Sequence, residues 1–404
     1  MTTAKNLAFT ILVFSATAAL AQFNPPSVIQ PTRIPSNFDR FAHIAPAGLP
    51  AHSGDNQAAF RFECHTSHLA YDDPIVYPNQ PGVSHLHHFF GNAGTNAFST
   101  YDTMRKQGDG SCEGGPLNRT GYWFPALIDQ TTNKVRIPDY ITVYYKQNEE
   151  NHVAKVLPGS GWVQQKAVPL IRGMKYIFGA NPNDRSFPHQ SVWNCDAGAG
   201  SELGSFQSLT ALRAATPCAS GRINARLDGP GCWNGTALDS PNHRSHMSEG
   251  EQDSFGHLAC HSATYDQTSP TLCPGCNYGT QETPYPIIFI AVIVTWSHDD
   301  SNFGNWYLSS DRMPGGPAFD NGESFHTDWF MAWDDDIAFT FEQKCLGYTG
   351  SPADIMNAST GNLCNGTQLT ATLSTSPLPV GSRSVDIPVN YAPSAGGHHG
   401  HGGR

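Results

Sequence analysis

Read for periodicity, the chain alternates more often at period two than at the helical period. Ala58-Ala-Phe-Arg-Phe-Glu-Cys64 places apolar side chains on every second residue, the pattern of a strand with one buried face. Tyr122 to Ile128 and Tyr140 to Tyr145 are rich in aromatic and β-branched residues and predict two more strands. Arg222 to Leu227 carries a weaker version of the pattern. Ile287 to Trp296 is almost continuously apolar, as expected of a central strand covered on both faces, and is too short to span a bilayer. Ile337 to Phe341 predicts a short strand or a helical turn. Helix candidates are few, at Ser99 to Lys106 and at Ser324 to Trp333, where apolar residues gather around charged ones.

The first residues follow a different rule. After Lys5 the chain is apolar from Leu7 to Leu20, and Ala19-Leu20-Ala21 has the small-x-small pattern of a signal-peptidase site. This predicts a secretory signal over residues 1–21, cleaved after Ala21. Residues 22–57 have no period and predict an extended lead-in; 58–345 form the main β domain; 346–390 are a C-terminal extension. The Gly/His-rich tail, 391–404, is expected to be disordered, with His398, His399 and His401 in it.

Composition narrows the fold class. Only 14% of residues are charged, while Gly (39) and Pro (30) are abundant. Short strands joined by long Gly/Pro loops predict a mainly β fold, of sandwich or jelly-roll type, with few short helices. Ten cysteines behind an export signal predict disulfides, with Cys345–Cys364 the best local pair because the two close a Gly/Ser-rich loop. Cys273-Pro-Gly-Cys276 has redox-motif spacing but no thioredoxin-like surroundings, which favours a structural role. A net charge of −11 argues against a nucleic-acid partner and against an anionic membrane surface. No membrane span is expected after signal cleavage. Asn118, Asn234, Asn357 and Asn365 head glycosylation sequons.

Chemistry concentrates in three stretches. In Ser84-His85-Leu-His87-His88, a strand would point His85 and His87 to one face, where two imidazoles can meet one metal ion or one substrate. A hydrogen-bonded structural pair is the plain alternative. In Leu238-Asp239-Ser-Pro-Asn-His243-Arg-Ser-His246, Pro241 rules out one continuous helix. There Asp239 can accept the Nδ1–H of His243 or His246, which fixes the tautomer and raises basicity. In the third stretch His326 and Asp328 lie two residues apart, beside Trp329, Phe330 and Trp333. Asp334, Asp335 and Asp336 read best as a solvated turn. The expected catalytic set is therefore His85, His87, Asp239, His243, His246, His326 and Asp328. The expected metal ligands are His85, His87, His243 and His246, for zinc or copper. The expected substrate-binding aromatics are Trp123, Trp233 and Trp329.

At these residues the chain resembles the domain-of-unknown-function family nineteen-ninety-six, found in secreted fungal and bacterial proteins, some of which carry WSC carbohydrate-binding modules. The resemblance runs over about residues 58–345. It rests on Phe60-Arg-Phe-Glu-Cys64, Asp73-Pro-Ile-Val-Tyr-Pro, Ser84 to Gly91, Tyr122 to Leu127, Tyr144-Tyr-Lys146, Cys232-Trp-Asn-Gly, Leu238 to His246, and His326 with Asp328. The segment Leu-Asp-Ser-Pro-x-His-x-Ser-His is its most specific part. One element departs: the family's Cys-Pro-x-x-His-Pro is replaced here by Cys273-Pro-Gly-Cys-Asn-Tyr, without the histidine. The resemblance implies a secreted domain with a carbohydrate connection and supplies no reaction. Three functions follow as expectations: a hydrolase or lyase acting on a polysaccharide or cell-envelope glycan through a His/Asp site, a zinc or copper site protein, or a non-catalytic carbohydrate-binding protein. No nucleophile elbow, phosphate loop or dinucleotide fingerprint is present in the sequence.

Overall fold

The computed structural model describes residues 28–52, 57–148, 153–155, 162–164, 167–185, 191–196, 202–216, 218–249, 251–252, 258–260, 285–298, 303–347, 356–357, 360–371 and 384–390. The signal segment, the tail, Cys273 and Cys276 lie outside them. Eleven strands build the two largest sheets. In chain order they are β1 (Gln57–Cys64), β2 (His68–Ala70), β3 (His87–Gly91), β4 (Gly121–Pro125), β5 (Tyr140–Asn148), β6 (Lys175–Gly179), β7 (Ser191–Asp196), β8 (Glu202–Phe206), β9 (Arg222–Asp228), β10 (Phe289–Ser297) and β11 (His326–Phe330). One sheet runs β6-β11-β4-β3-β2, the other β8-β7-β9-β10-β5-β1. Every pairing within them is antiparallel. The expected mainly β fold with few short helices is therefore present.

The apolar run expected to be a central strand is β10, which pairs on both sides with β9 and β5. Its alternate residues Ile290, Val292, Val294 and Trp296 are fully buried. They join one core with Phe60, Phe62 and Tyr145 of the same sheet and with Phe90, Tyr122, Phe124 and Trp329 of the five-stranded sheet. The phenol of Tyr145 organises that core. It accepts hydrogen bonds from Nε1 of Trp329 (3.2 Å) and of Trp333 (3.0 Å) and meets the Tyr122 hydroxyl at 2.7 Å. Burying four polar atoms is tolerable because each has a partner.

Two expectations change. Ser324 to Trp333 is not a helix: residues 326–330 form β11, with His326, Asp328 and Phe330 on one face and Thr327 and Trp329 on the other. All five are buried, so the period-two signal was hidden by covering both faces. Helix α2 begins only at Asp335 (Asp335–Phe341), which settles the alternative left open for Ile337 to Phe341. The run Tyr122 to Ile128 is two strands, because Pro125 has no N–H to continue the ladder and the next strand, Leu127–Asp129, joins a separate sheet. Helix α1 (Tyr101–Lys106) falls within Ser99 to Lys106 and is capped by Thr100, whose hydroxyl accepts the Thr103 N–H.

Four disulfides join described residues: Cys64–Cys112, Cys195–Cys218, Cys232–Cys260 and Cys345–Cys364, the last as expected. Loops of 19 to 48 residues closed in this way remove roughly 3–4 kcal/mol of unfolded-chain entropy each. Among the described residues no helix is long and apolar enough to cross a membrane. Of the sequons, Asn118 is fully buried and binds Tyr122, which leaves no room for a glycan, whereas Asn365 stands exposed on a turn.

Candidate metal centre and adjoining acid–base pair

The site lies on the outer face of the five-stranded sheet. Antiparallel register puts His87 opposite Pro125, Gly179 opposite His326, and Phe89, Trp123, Asp328 and Ile177 in the next row. Residues in register share a face, so His87, His326 and Asp328 point the same way, with Phe89 and Trp123 beside them. Ile75 from the preceding loop and Tyr101 and Met104 of α1 cover this apolar ground.

Three imidazoles meet there. One ligand atom from each of His85, His87 and His326 lies within 4.8 Å of the others. The His85 ring centroid is 4.1 Å from that of His87 and 5.2 Å from that of His326. His87 and His326 are buried, and His85 is half-buried with its Nε2 shielded from solvent.

Main-chain carbonyls choose the tautomers. Nδ1–H of His87 donates to the Asp72 carbonyl at 3.0 Å, and Nδ1–H of His326 donates to the Ser324 carbonyl at 2.8 Å. A carbonyl only accepts, so both rings carry their proton on Nδ1 and keep a lone pair on Nε2. Among the described residues, Nε2 of His85 and of His87 has no hydrogen-bond partner. Burial keeps the three rings neutral. It lowers His85 well below the ordinary histidine value, with help from its two neighbours, and lowers His87 to about 4 and His326 to about 3 against the opposing carbonyl bonds. Neutral rings with free Nε2 atoms are metal-ligand geometry, with the oriented carbonyl as the outer support.

The supports are themselves fixed. Asp72 accepts the N–H of Gly82 and of Ala97, and Asp73 accepts those of Ile75 and Val76 through one oxygen, so Asp72-Asp73-Pro74 orders the loop that leads to His85. Ser324 is held by Asp311, which accepts its N–H (3.0 Å) and its hydroxyl (2.6 Å). Burial raises Asp311 to about 6 in spite of these bonds.

Asp328 has no such support. It is 1% exposed, and among the described residues neither carboxylate oxygen has a hydrogen-bond partner. One oxygen stands 3.9 Å from Nε2 of His326, which carries no proton to give it. Burial, and then the charge of Asp73, push Asp328 well above the carboxylate range, while Arg244 pulls the other way. Burial thus favours the neutral acid, and a cation beside it would favour the carboxylate instead.

Beside this group runs the loop of the second histidine stretch, laid along edge strand β6. The Lys175 N–H donates to the Leu238 carbonyl (3.0 Å) and the Ile177 N–H to the His243 carbonyl (2.9 Å). Nδ1 of His243 donates to Asp239 at 2.8 Å, and Lys175 pairs with the other Asp239 oxygen at 3.2 Å. Burial opposes ionisation of Asp239, but the His243 hydrogen bond and Lys175 outweigh it and hold the carboxyl below its ordinary value. His243 is half-exposed and adopts φ +57°, a left-handed backbone that costs a non-glycine residue about 1–3 kcal/mol. His243 and Lys175 both act electrostatically on Asp73, which in turn acts on Asp328, so the two groups are electrostatic neighbours.

Several sequence expectations change here. His246 stands outside the three-imidazole group with both ring nitrogens engaged: Nε2–H donates to the Lys175 carbonyl (3.1 Å) and Nδ1 accepts from Ser240 (2.9 Å). His243 does not join the three-imidazole group either, and His326 takes that place. Trp123, Trp233 and Trp329 offer no platform to a sugar, since all three are at most 1% exposed. Trp329 faces the inner core, and Trp233 donates to the Ala237 carbonyl. Asp72, Asp73, Arg244, Asp311 and Ser324 act on the site through main-chain or longer contacts, and Lys175 through its ion pair with Asp239. Of these, only the Asp-Pro turn and the Ser-Pro-x-His-Arg segment leave a trace in the sequence.

Residues 73–333 match the sequence profile described as Domain of unknown function (DUF1996). The match covers more than half of the chain, which therefore belongs to this family. Comparison with curated proteins and with solved structures gives no match.

Proposed function

We propose that the chain is an extracytoplasmic metal-dependent enzyme of hydrolase or lyase type. In this reading His85, His87 and His326 hold a divalent zinc-class or copper-class ion, and the Asp239–His243 pair moves the proton. One observation carries it: three neutral imidazoles with ligand atoms inside 4.8 Å, two of them set by carbonyls to present Nε2. Zinc–nitrogen bonds of ~2.0–2.1 Å at tetrahedral angles separate ligand atoms by about 3.3 Å, so the rings close on an ion with small movements. When bound, such an ion acts as a Lewis acid and lowers the pKa of a bound water.

The chain's own residues do the rest. His85 and His243 are half-buried, whereas His87 and His326 are buried. His243, oriented by Asp239, takes or returns a proton at Nε2. Four disulfides support an extracytoplasmic setting. A polysaccharide is the substrate class we assign, on the family's resemblance to secreted proteins with carbohydrate modules.

The test is a screen of plant, fungal and bacterial polysaccharides for new reducing or unsaturated ends, with and without a chelator. Product that disappears with chelator and with His243→Ala supports the reading. Product that survives both rejects it.

A further inference from the structure

Arg244 follows His243 in the chain, but its side chain turns inward and is buried. Nη1 donates to the Gly179 carbonyl at 2.8 Å and Nη2 to the Ala180 carbonyl at 3.0 Å. Gly179 ends β6 and stands in register with His326, while the Ala180 N–H donates to the Phe325 carbonyl at 3.1 Å. One guanidinium thus grips the two residues that pack against His326 and its predecessor.

There is no slack at that point. Gly179 has φ +91°, and a Cβ there would stand 2.6 Å from the Phe325 carbonyl oxygen and 2.8 Å from the His326 Cα. The main chains are that close, so any shift of the β6 end is passed to His326. The loop is tied to the same strand by the Ile177–His243 main-chain bond. The guanidinium charge acts on Asp328, two residues from His326. A planar fork holds two carbonyls in fixed geometry, which a lysine ammonium does not.

We propose that Arg244 is the positioning residue of this centre. Its fork sets the end of β6 against His326 and, through its chain neighbour His243, sets how far the Asp239–His243 pair stands from the three imidazoles. The proposal rests on the metal-dependent reading above for its purpose, but its geometry is independent of any ion.

Arg105 is the internal comparison. It is also buried, at 0% exposed against 8% for Arg244, and donates to the Ala332 carbonyl (3.2 Å) beyond the other end of β11, with Asp334 at 3.4 Å. A role confined to general stability would make the two arginines equivalent.

The experiment uses the full chain with His398, His399 and His401 replaced by serine, and the variants Arg244→Gln, Arg244→Lys and Arg105→Lys. Ring ¹⁵N spectra of the metal-free proteins report each histidine tautomer, and cobalt(II) titration reports ligation. We expect Arg244→Gln to move His326 from its Nδ1–H tautomer to a mixture, leave His87 unchanged, and weaken cobalt binding by about tenfold or more. Arg244→Lys should lie between, and Arg105→Lys should leave the His326 signal and cobalt affinity at wild-type values. Wild-type His326 signals in Arg244→Gln overturn the proposal, as does an equal shift in Arg105→Lys. Should Arg244→Gln not fold, a wild-type His326 signal in Arg244→Lys overturns it. A wild-type protein that takes no cobalt, with the His326 shift still present in Arg244→Gln, rejects the metal reading and leaves the positioning role standing.

Discussion

Asp334 and Asp328 sit in one short stretch and are almost equally buried, at 2% and 1% exposed. Asp334 caps α2 by accepting the N–H of Asp336 and of Ile337, pairs with Arg105 and Arg40, and accepts the Ser36 hydroxyl. Around it Arg33 and Arg40 meet Asp336, and Arg172 meets Asp335. Asp328 accepts nothing from the described residues and stands 3.9 Å from Nε2 of His326. The first is an aspartate used for structure, with every demand of burial met by the chain itself. The second is buried at a cost that the chain leaves uncompensated, which is the mark of a group awaiting a partner from outside.

Exchanging the acids gives the largest expected contrast. Asp334→Ala leaves Arg105 buried without its carboxylate and removes the helix cap, and we expect a loss of roughly 3–5 kcal/mol in urea unfolding. Asp328→Asn replaces a buried acid that has no hydrogen-bond partner among the described residues with a neutral side chain of the same shape, and should leave metal-free stability unchanged or raised. A loss for Asp328→Asn equal to that of Asp334→Ala would erase the distinction.

The histidines repeat the contrast, and pH reads it. His246 is fully buried with both nitrogens engaged, and burial lowers its pKa to about 4. Its folded value lies below the ordinary 6.5, so only the unfolded chain takes up the proton in between. Its contribution is present above pH 6.5 and is lost as pH falls through about 4. The loss approaches about 3 kcal/mol, at 1.36 kcal/mol per unit. His246→Gln, whose amide can keep both bonds, should flatten the acid limb of the stability–pH curve by a comparable amount. An unchanged curve would mean that His246 is not neutral in the fold.

Metal addition comes next in size. At one hundred times its Kd an ion that binds only the folded state stabilises by about 2.7 kcal/mol. Wild-type protein should show this shift in thermal unfolding with zinc, and His326→Ala should not. The smallest stability effect is expected for Asp239→Asn, which breaks a half-exposed pair with Lys175 and should change unfolding by under ~1 kcal/mol. Its effect on product formation should be a fall of about 10²-fold or more, since His243 loses the charged, acceptor-only partner that fixes its tautomer. An equal, small change in both would assign the pair to the surface rather than to the chemistry.

Much of the scaffold was legible in the sequence because period-two alternation is a local signal. β1, β5, β9 and β10 lie where the pattern predicts them, and Cys345–Cys364 pairs as its loop suggests. β11 was not legible, because both its faces are buried and the alternation of His326, Asp328 and Phe330 with Thr327 and Trp329 looks like a mixed cluster. The three stretches that carry the site residues stood out by residue type. The division of labour within them did not. His243 and His246 are three residues apart in one motif, and only three-dimensional contacts show that the Lys175 carbonyl and Ser240 occupy one while Asp239 orients the other. The burial of Trp123, Trp233 and Trp329 was equally invisible, since a tryptophan that packs a core and one that stacks on a sugar are the same letter.

The most direct test is X-ray absorption at the zinc edge of the full chain with its tail histidines replaced, alongside His87→Ala and His326→Ala. The account predicts one ion per chain in the wild type, with the scattering signature of three imidazole rings, and loss of that ion in either variant. Protein that binds no zinc, or that binds it equally well without His87 and His326, would contradict it.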